Sequence, residues 1–407
     1  MGTLYDYMVW RGDLSFAQCP LNLVDNVILS NFAYLDMAPA FETEEPADLA
    51  ATQLQVRRDV RSFKTVTECF FKTHTIQEIL TAGRPTREVP GLARRAVDSE
   101  RFGNIYVSDY LDIVDKEAAE QMCAMVFWLD SDTAYAAFRG TDDTFIGWKE
   151  DLSLSYLNET PGQRHAVEFM NRVFGKDCPQ RLYVGGHSKG GNLAIYASAF
   201  CDAAIRERIV EVYSNDGPGF RKEITGREEY QTLLPKITCI LPDSSVVGGL
   251  LDNHARELII KSNVDGVGQH DAFTWEVNGP QFVPSERSAS GKFYDDSLYR
   301  WLTKLSDNER RLFTDVLFDL LGAGADTVSE FKDAPLRAVI EMIKASAGID
   351  SEIKAKISDI LMLLASSGVE ALGHATKKKA RSIADKLKNP DLPEADDTLE
   401  EMTDDTE

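Results

Sequence analysis

The feature that most constrains this chain is a short apolar run that ends in glycines and leads into a helix-like segment. Residues Gly186-His187-Ser188-Lys189-Gly190 fit the pattern G-x-S-x-G, with apolar residues at 182–184 before them and small or apolar residues through most of 192–200 after them. A strand, a sharp turn and a helix in this order expose a serine hydroxyl on a strained turn, and the glycines allow the strand and helix to approach closely. The pattern predicts an activated nucleophile at Ser188. The alternative is an ordinary glycine-rich turn of a parallel sheet.

An activated serine needs a base, and the base needs an acid that orients it. Of the six histidines, His270 is preferred, because it follows the last strand candidate in a glycine-rich loop. When the order along the chain is Ser, acid, His, the acid lies between 188 and 270. Asp243 directly follows a strand candidate and is the predicted acid. Asp216, which also follows a strand, is the alternative, and it also fits a turn role in Asn-Asp-Gly-Pro-Gly.

Acyl transfer also needs donors for the oxyanion that develops on the attacked carbonyl group. The backbone N–H of Lys189, directly after the nucleophile, is one predicted donor. Thr141 is the second, because Gly140 allows the backbone to turn and Thr141 offers both an N–H and a hydroxyl. An N-cap role for Thr141 is the structural alternative, and both roles are compatible.

The order of predicted elements favours an α/β fold. Strand candidates apolar on both faces suit a sheet that is buried under helices on each side. Strands alternating with helices predict a mostly parallel sheet, with the site at the carboxyl ends of its strands. Residues 116–121 are predicted to be helical. The strand candidates lie at 104–107, 122–129, 133–138, 182–184, 209–213, 236–241 and 258–261.

Four regions are expected. Residues 1–100 form an N-terminal helical segment that is also a candidate lid, and residues 101–295 form the catalytic domain. Residues 296–388 form a C-terminal helical region, where Ser306 and Glu309 have the spacing of a capping box. Residues 389–407 are acidic without a basic residue and are predicted to be disordered.

Composition limits the partners. The formal net charge of −22 argues against nucleic acid and against electrostatic binding to an anionic membrane. The six cysteines are scattered and form no C-x-x-C, so we expect reduced thiols and no metal site. The chain starts without a signal-like segment and has no apolar run of about eighteen residues, so we expect a cytoplasmic protein without an integral membrane segment.

Five blocks in order resemble the class 3 (fungal-type) lipase family: 137–141, 147–152, 186–190, 216–219 and 241–243. The chain as a whole is more similar to a bacterial family of uncharacterised lipase-like proteins, including Tyr5-Asp-Tyr and Gln269-His270-Asp. The resemblance implies an α/β-hydrolase fold, Ser188 as nucleophile, Asp243 as acid, His270 as base, and Thr141 with Lys189 as oxyanion donors, without a cofactor. Lys189 stands where the lipases carry an apolar or amide side chain. Its cation would either favour an anionic substrate or pair with an acid.

The sequence therefore predicts a serine hydrolase that cleaves small-molecule or lipid carboxylic esters through an acyl-enzyme. One alternative is a non-catalytic interaction module with the same fold. Another is a thioesterase or acyltransferase that uses the same three residues.

Overall fold

The computed structural model describes residues 2–42, 59–82, 86–142, 145–176, 179–292 and 305–324. Its strands are β1 (Val60–Ser62), β2 (Tyr106–Asp115), β3 (Glu120–Trp128), β4 (Thr133–Phe138), β5 (Arg181–His187), β6 (Ile209–Asn215), β7 (Ile237–Pro242), β8 (Arg256–Ile260), β9 (Val277–Asn278) and β10 (Gln281–Phe282).

Its helices are α1 (Leu4–Arg11), α2 (Leu23–Phe32), α3 (Ala38–Phe41), α4 (Phe63–Thr73), α5 (Ile76–Thr81), α6 (Val89–Ala96), α7 (Phe145–Ser153), α8 (Pro161–Phe174), α9 (Lys189–Phe200), α10 (Ala203–Arg208), α11 (Lys222–Thr225), α12 (Glu228–Leu233) and α13 (Asp307–Gly324). Short 3₁₀ turns lie at Leu234–Lys236, Gly266–His270 and Ala272–Thr274.

Strands β1 to β8 form one sheet in the order of the sequence. The pairs from β1 to β4 are antiparallel, and the pairs from β4 to β8 are parallel. The predicted mostly parallel sheet is confirmed, with an antiparallel first half that the prediction did not contain. Strands β5, β6 and β7 are neighbours, so the residues that follow them emerge side by side at one edge.

Helices cover both faces of the sheet, as predicted, because each strand alternates between two apolar cores. On β3, Met125 and Phe127 face the core that contains α1, α2, α4 and α6, whereas Val126 and Trp128 face the core that contains α8, α9 and α12. All nine residues of β3 are buried. Burying one such large apolar side chain stabilises the fold by about 1.5–3 kcal/mol, and two filled cores hold the sheet rigid beneath the site.

The first hundred residues are part of this fold. Helix α2 is buried along almost its whole length and packs on β5, so this helix is a core element and not a lid. The buried guanidinium of Arg101 pairs with the fully buried carboxylate of Asp25 on α2. The segment also contributes β1, which pairs with β2 at the edge of the sheet. Residues 43–58 of the predicted segment lie outside the described residues.

Residues 116–121 are not helical, contrary to the prediction. Residues 116–119 form the turn between β2 and β3, with Asp115 accepting bonds from the N–H groups of Glu117 and Ala118, and residues 120 and 121 begin β3. Ala119 has a positive φ of 51°, which suits a turn and not a helix. Pairing β2 with β3 over eight registered residue pairs outweighs the local helix preference of Lys, Glu and Ala.

The chain forms two compact units, Met1–Thr314 and Asp315–Glu407, and every predicted site residue belongs to the first. The Ser306–Glu309 capping box is present at the start of α13, with Ser306 N–H donating to Glu309 Oε2 at 2.8 Å. The remainder of the predicted C-terminal helical region and the acidic tail lie outside the described residues. Within the described ranges, no helix combines the length and apolar character needed to cross a bilayer.

Candidate active site

Ser188 occupies a strained turn between β5 and α9. Its φ of 58° and ψ of −135° lie in a region that non-glycine residues rarely adopt. The flanking glycines make the turn possible: a Cβ on Gly190 would lie 2.1 Å from the carbonyl oxygen of Phe138, and one on Gly186 would lie 2.3 Å from the Gly190 carbonyl. The strand–turn–helix context predicted from the sequence is therefore present, and it presents Ser188 at the carboxyl edge of the sheet.

His270 pairs with Asp216. Its Nδ1 lies 2.6 Å from Asp216 Oδ2. Because a carboxylate oxygen can only accept, Nδ1 carries the proton and donates a hydrogen bond to the carboxylate. Nε2 is then the basic nitrogen. Asp216 itself is fully buried, has a positive φ of 52°, and receives a second hydrogen bond from the hydroxyl of Ser245. This fixed carboxylate orients the imidazole.

Asp243 does not contact the imidazole, which corrects the preferred sequence prediction. Its Oδ1 accepts from Gln269 Nε2 at 3.0 Å and from the hydroxyl of Ser244, and its Oδ2 accepts from the hydroxyl of Ser285. The physical reason is strand position: Asp243 follows β7, two strands from the nucleophile, whereas Asp216 follows β6, which is adjacent to β5. Asp243 supports Gln269, the residue before His270.

Two hydrogen bonds to backbone carbonyl groups hold together the segments that carry Ser188, Asp216 and His270. The N–H of Ser188 donates to the carbonyl of Asn215, the residue before Asp216, at 2.9 Å. The ring of His187, the residue before Ser188, bonds through Nε2 to the carbonyl of His270 at 2.8 Å. These two bonds hold residues 187 and 188 next to residues 215 and 270, although 82 residues separate Ser188 from His270 along the chain (270 − 188).

His187 is a buried, neutral histidine whose structural role the sequence analysis missed. Since the carbonyl of His270 can only accept, Nε2 carries the proton and Nδ1 accepts from the hydroxyl of Tyr34 at 3.1 Å. Burial, reinforced by the nearby His270, lowers the pKa of His187 to about 3. A histidine that stays neutral can hold the His270 backbone without competing for the serine proton.

Thr141 follows Gly140, which packs closely against the nucleophile turn: a Cβ on Gly140 would lie 2.9 Å from Ser188 Cβ. The hydroxyl of Thr141 donates to Asp151 Oδ2 at 2.7 Å, so its backbone N–H is the group left for an oxyanion. Asp151 was not singled out from the sequence, although it lies in the quoted block 147–152. Burial raises its pKa to about 6, against the opposing effects of the Lys189 charge and the Thr141 bond.

Lys189 is the first residue of α9, so its N–H has no acceptor within the helix and is available at the turn. Its ammonium group points away from the serine into the protein. Nζ donates to Glu150 Oε2 and to the carbonyl of Gln121, each at 2.8 Å. Of the two roles that the sequence left open for this cation, pairing with an acid is the one observed.

A cavity of about 670 Å³ lies beside the site, and its lining does not include Ser188 or His270. Gly248 separates it from Asp216, since a Cβ there would lie 2.8 Å from Asp216 Oδ1. The charges of the lining are mixed: Arg221, Lys222, Arg287 and Arg310 face Glu223, Asp252 and Glu257. Among the described residues, no three His, Cys, Asp or Glu side chains are grouped so that they could hold a metal ion.

The solved structures that match this chain do so weakly. One of them is an M37 lipase, which is 13% identical to this chain. The other is a complex of a fungal lipase with an inhibitor, which is 17% identical and whose structure gave a model for interfacial activation in lipases. The first match covers 56% of this chain and 68% of that one at a TM-score of 0.31. The second covers 47% and 77% at a TM-score of 0.29. These scores are too low to support an argument about function.

No curated protein matches the chain. The family model described as Mbeg1-like matches residues 96–319, which is more than half of the sequence and contains all the residues assigned to the site. The chain combines this match with a buried eight-stranded sheet, helices on both faces and a serine at the strand–helix turn. It therefore has an α/β-hydrolase fold and belongs to the Mbeg1-like family.

Proposed function

We propose that this protein is a serine hydrolase that cleaves carboxylic esters through Ser188, His270 and Asp216. The observation that carries the proposal is the hydrogen bond between His270 and Asp216 at the sheet edge where Ser188 is held on its strained turn. This bond fixes the tautomer that leaves Nε2 as the base. A serine with only a structural role in the turn would not require an imidazole with a fixed tautomer at the same edge of the sheet.

The chemistry follows from these positions. Ser188 Oγ attacks the ester carbonyl carbon while His270 Nε2 takes the serine proton, and Asp216 stabilises the imidazolium that forms. The N–H groups of Lys189 and Thr141 bind the oxyanion of the tetrahedral intermediate. His270 returns the proton to the leaving alcohol, and the acyl group stays on Ser188. Water, deprotonated by His270, then releases the carboxylic acid.

The test is covalent labelling with a fluorophosphonate, together with turnover of p-nitrophenyl esters. Wild-type protein should label once, at Ser188, and Ser188→Ala should abolish both labelling and turnover. Ser198→Ala is the matched control, because Ser198 is buried on the same helix α9 and remote from the turn. We expect this variant to label like wild type.

One observation is compatible with the non-catalytic alternative: Ser188 is only 6% exposed. A buried serine suits either an interaction module or an enzyme whose site opens for substrate. The same labelling experiment separates the two. A wild-type protein that stays unlabelled by small fluorophosphonates and turns over no ester would refute the hydrolase proposal.

A further inference from the structure

The buried ammonium of Lys189 has no role in the proposed chemistry, which uses only the backbone N–H of this residue. Its side chain and that of Glu150 are each 1% exposed, and Nζ lies 2.8 Å from Glu150 Oε2. Removing two charges from water is costly, and a buried pair often stabilises a protein no more than apolar residues of similar volume would. General stability therefore does not account for a buried pair at this position.

Glu150 is bonded so fully that its position is fixed. Its Oε2 accepts from Lys189 Nζ and from the N–H of Gln121 at 3.0 Å. Its Oε1 accepts from the N–H of Gly162 at 2.9 Å, where α8 begins. Since Lys189 Nζ also donates to the carbonyl of Gln121, the ammonium and the carboxylate together hold the start of β3 and helix α7.

Two bonds lead from this cluster to the loop that carries the second oxyanion donor. Asp151 follows Glu150 on α7 and accepts from the hydroxyl of Thr141 at 2.7 Å. Gln121, held by both charged groups, accepts through Oε1 from the N–H of Asp142 at 3.2 Å. The loop at 141–142 is thus tied to Glu150 through α7 and to Lys189 through β3.

We propose that the Lys189 side chain is a positioning group for the oxyanion hole: through Glu150 and Gln121 it holds the segment of Thr141 and Asp142 against the nucleophile turn. The inference rests on the proposed hydrolase function. One residue then supplies one oxyanion donor with its backbone and fixes the other with its side chain. Because oxyanion donors act only within about 2.7–3.1 Å of the oxyanion, both must be set relative to Ser188.

This arrangement explains why a cation stands at position 189. The ammonium donates to the Gln121 carbonyl and at the same time compensates the charge of the buried Glu150 carboxylate, and a neutral side chain in its place would leave that charge uncompensated. The pair joins α9, which begins at the nucleophile, to α7, which carries the partner of Thr141. Losing it would free the loop to move without unfolding the sheet.

The test is steady-state kinetics of Lys189→Met and Glu150→Gln, measured per correctly folded site. We expect kcat to fall about 10- to 100-fold for each, with KM changed by less than about threefold, since donor placement acts mainly on the transition state. The affinity for a trifluoromethyl ketone, which forms a tetrahedral oxyanion on Ser188, should fall in parallel with kcat/KM. The double variant should be no slower than the slower single variant, because the two groups act as one unit.

The control is a second buried ion pair, Arg101 with Asp25, whose side chains are both 0% exposed. Arg101→Met should lower the thermal midpoint and leave the kcat and ketone affinity of the folded protein unchanged. If Lys189→Met behaves like this control, its side chain is only structural and the inference is wrong.

A milder variant covers the case in which Lys189→Met does not fold. Gln121→Met keeps the ion pair and removes the amide oxygen that holds the Asp142 N–H. It should lower kcat and ketone affinity about three- to tenfold, and unchanged values would overturn the inference.

Failure of the hydrolase proposal is recognised separately, because the wild-type protein would then neither be labelled nor turn over an ester, and the positioning role would fall with it. A wild-type protein that reacts, together with variants that react equally well, refutes the positioning role alone.

Discussion

At the scale of single residues, Asp216 and Asp243 both lie near the loop that carries His270, and their partners give them different roles. Asp216 Oδ2 accepts from the imidazole itself, whereas Asp243 reaches only the preceding residue through Gln269. A carboxylate that fixes the imidazole tautomer affects the rate of the chemical step, whereas a carboxylate that holds a neighbouring residue affects the position of the loop.

Replacing each aspartate with asparagine should therefore have unequal effects. We expect Asp216→Asn to lower kcat about 10³- to 10⁴-fold, because the amide no longer selects the imidazole tautomer with its proton on Nδ1. Asp243→Asn should lower kcat by less than about tenfold, since it leaves His270 paired with Asp216. Kinetics on a p-nitrophenyl ester measures both variants. The reverse order of effects would restore Asp243 as the acid.

Asp151 gives a prediction about pH and stability. Burial raises its pKa from 3.8 to about 6, and Lys189, Thr141, Glu150 and His270 are the groups that act on it. The folded carboxyl group therefore binds its proton more tightly than the unfolded one, so the folded state loses stability as the pH rises from about 4 to 6. Asp151→Asn removes this loss.

The free energy of unfolding of Asp151→Asn, relative to wild type, should increase by roughly 2–3 kcal/mol between pH 4 and pH 7. Urea unfolding across this range measures it. Asp307→Asn is a control of opposite sign. Despite slight burial, Arg310 and Arg221 lower the pKa of Asp307. This carboxylate therefore stabilises the fold at pH values above its ordinary pKa of 3.8, and the stabilisation is lost as the pH falls below that value. A flat pH dependence for Asp151→Asn would show that this carboxyl group is solvated in solution.

At the scale of elements, the turn from β5 to α9 depends on how closely the helix approaches β4. A Cβ on Gly190 would lie 2.1 Å from the Phe138 carbonyl oxygen and 2.9 Å from the Gly140 nitrogen, both backbone atoms that cannot move independently. The approach sets the distance between the nucleophile turn and the loop after β4, where Thr141 lies.

Gly190→Ala should destabilise the protein by at least about 1–3 kcal/mol, because overpacking against backbone forces the helix away from the sheet. It should also lower the rate of fluorophosphonate labelling in the folded protein. Gly268→Ala is the control, since its nearest heavy atom would lie at an ordinary 3.5 Å. Thermal unfolding compares the two, and equal midpoints would mean that the helix accommodates a Cβ at 190.

At the scale of the whole molecule, the N-terminal helices form half of the sheet's covering. Residues of α1, α2, α4 and α6 share one apolar core with alternate residues of the strands. The Arg101–Asp25 pair, which Tyr7 joins by a 2.8 Å bond to Asp25, anchors α1 and α2 to the start of the sheet region. The described helices of the first hundred residues and the sheet therefore share one apolar core.

A chain that starts at residue 101 should not fold cooperatively, because one complete face of the sheet would be exposed to water. Circular dichroism should show no sharp thermal transition, and the fragment should bind the dye ANS. Residues 1–100, expressed as a separate chain, should restore the transition when the two are mixed. A sharp transition from the fragment alone would show that the helices are an appendage.

The sequence alone predicted the fold class and singled out Ser188 and His270 as the candidate nucleophile and base, because each of these inferences depends on local pattern. The glycines around Ser188 are required by backbone geometry, and apolar strands between helix-like runs require a buried sheet. The helix predicted at 116–121 was wrong, since these residues favour helix locally and only the pairing of the two flanking strands, β2 and β3, overrides that preference.

Only the tertiary structure decided which aspartate pairs with His270, that His187 stays neutral, and that the Lys189 charge pairs with Glu150. Asp216 and Asp243 each follow a strand, and the sequence does not say which strand lies beside β5. A buried charge or imidazole takes its role from partners that lie far away along the chain, such as Glu150 for Lys189 and Tyr34 for His187. Local pattern fixes which groups stand at the edge of the sheet, whereas hydrogen bonds between distant segments fix what each group does.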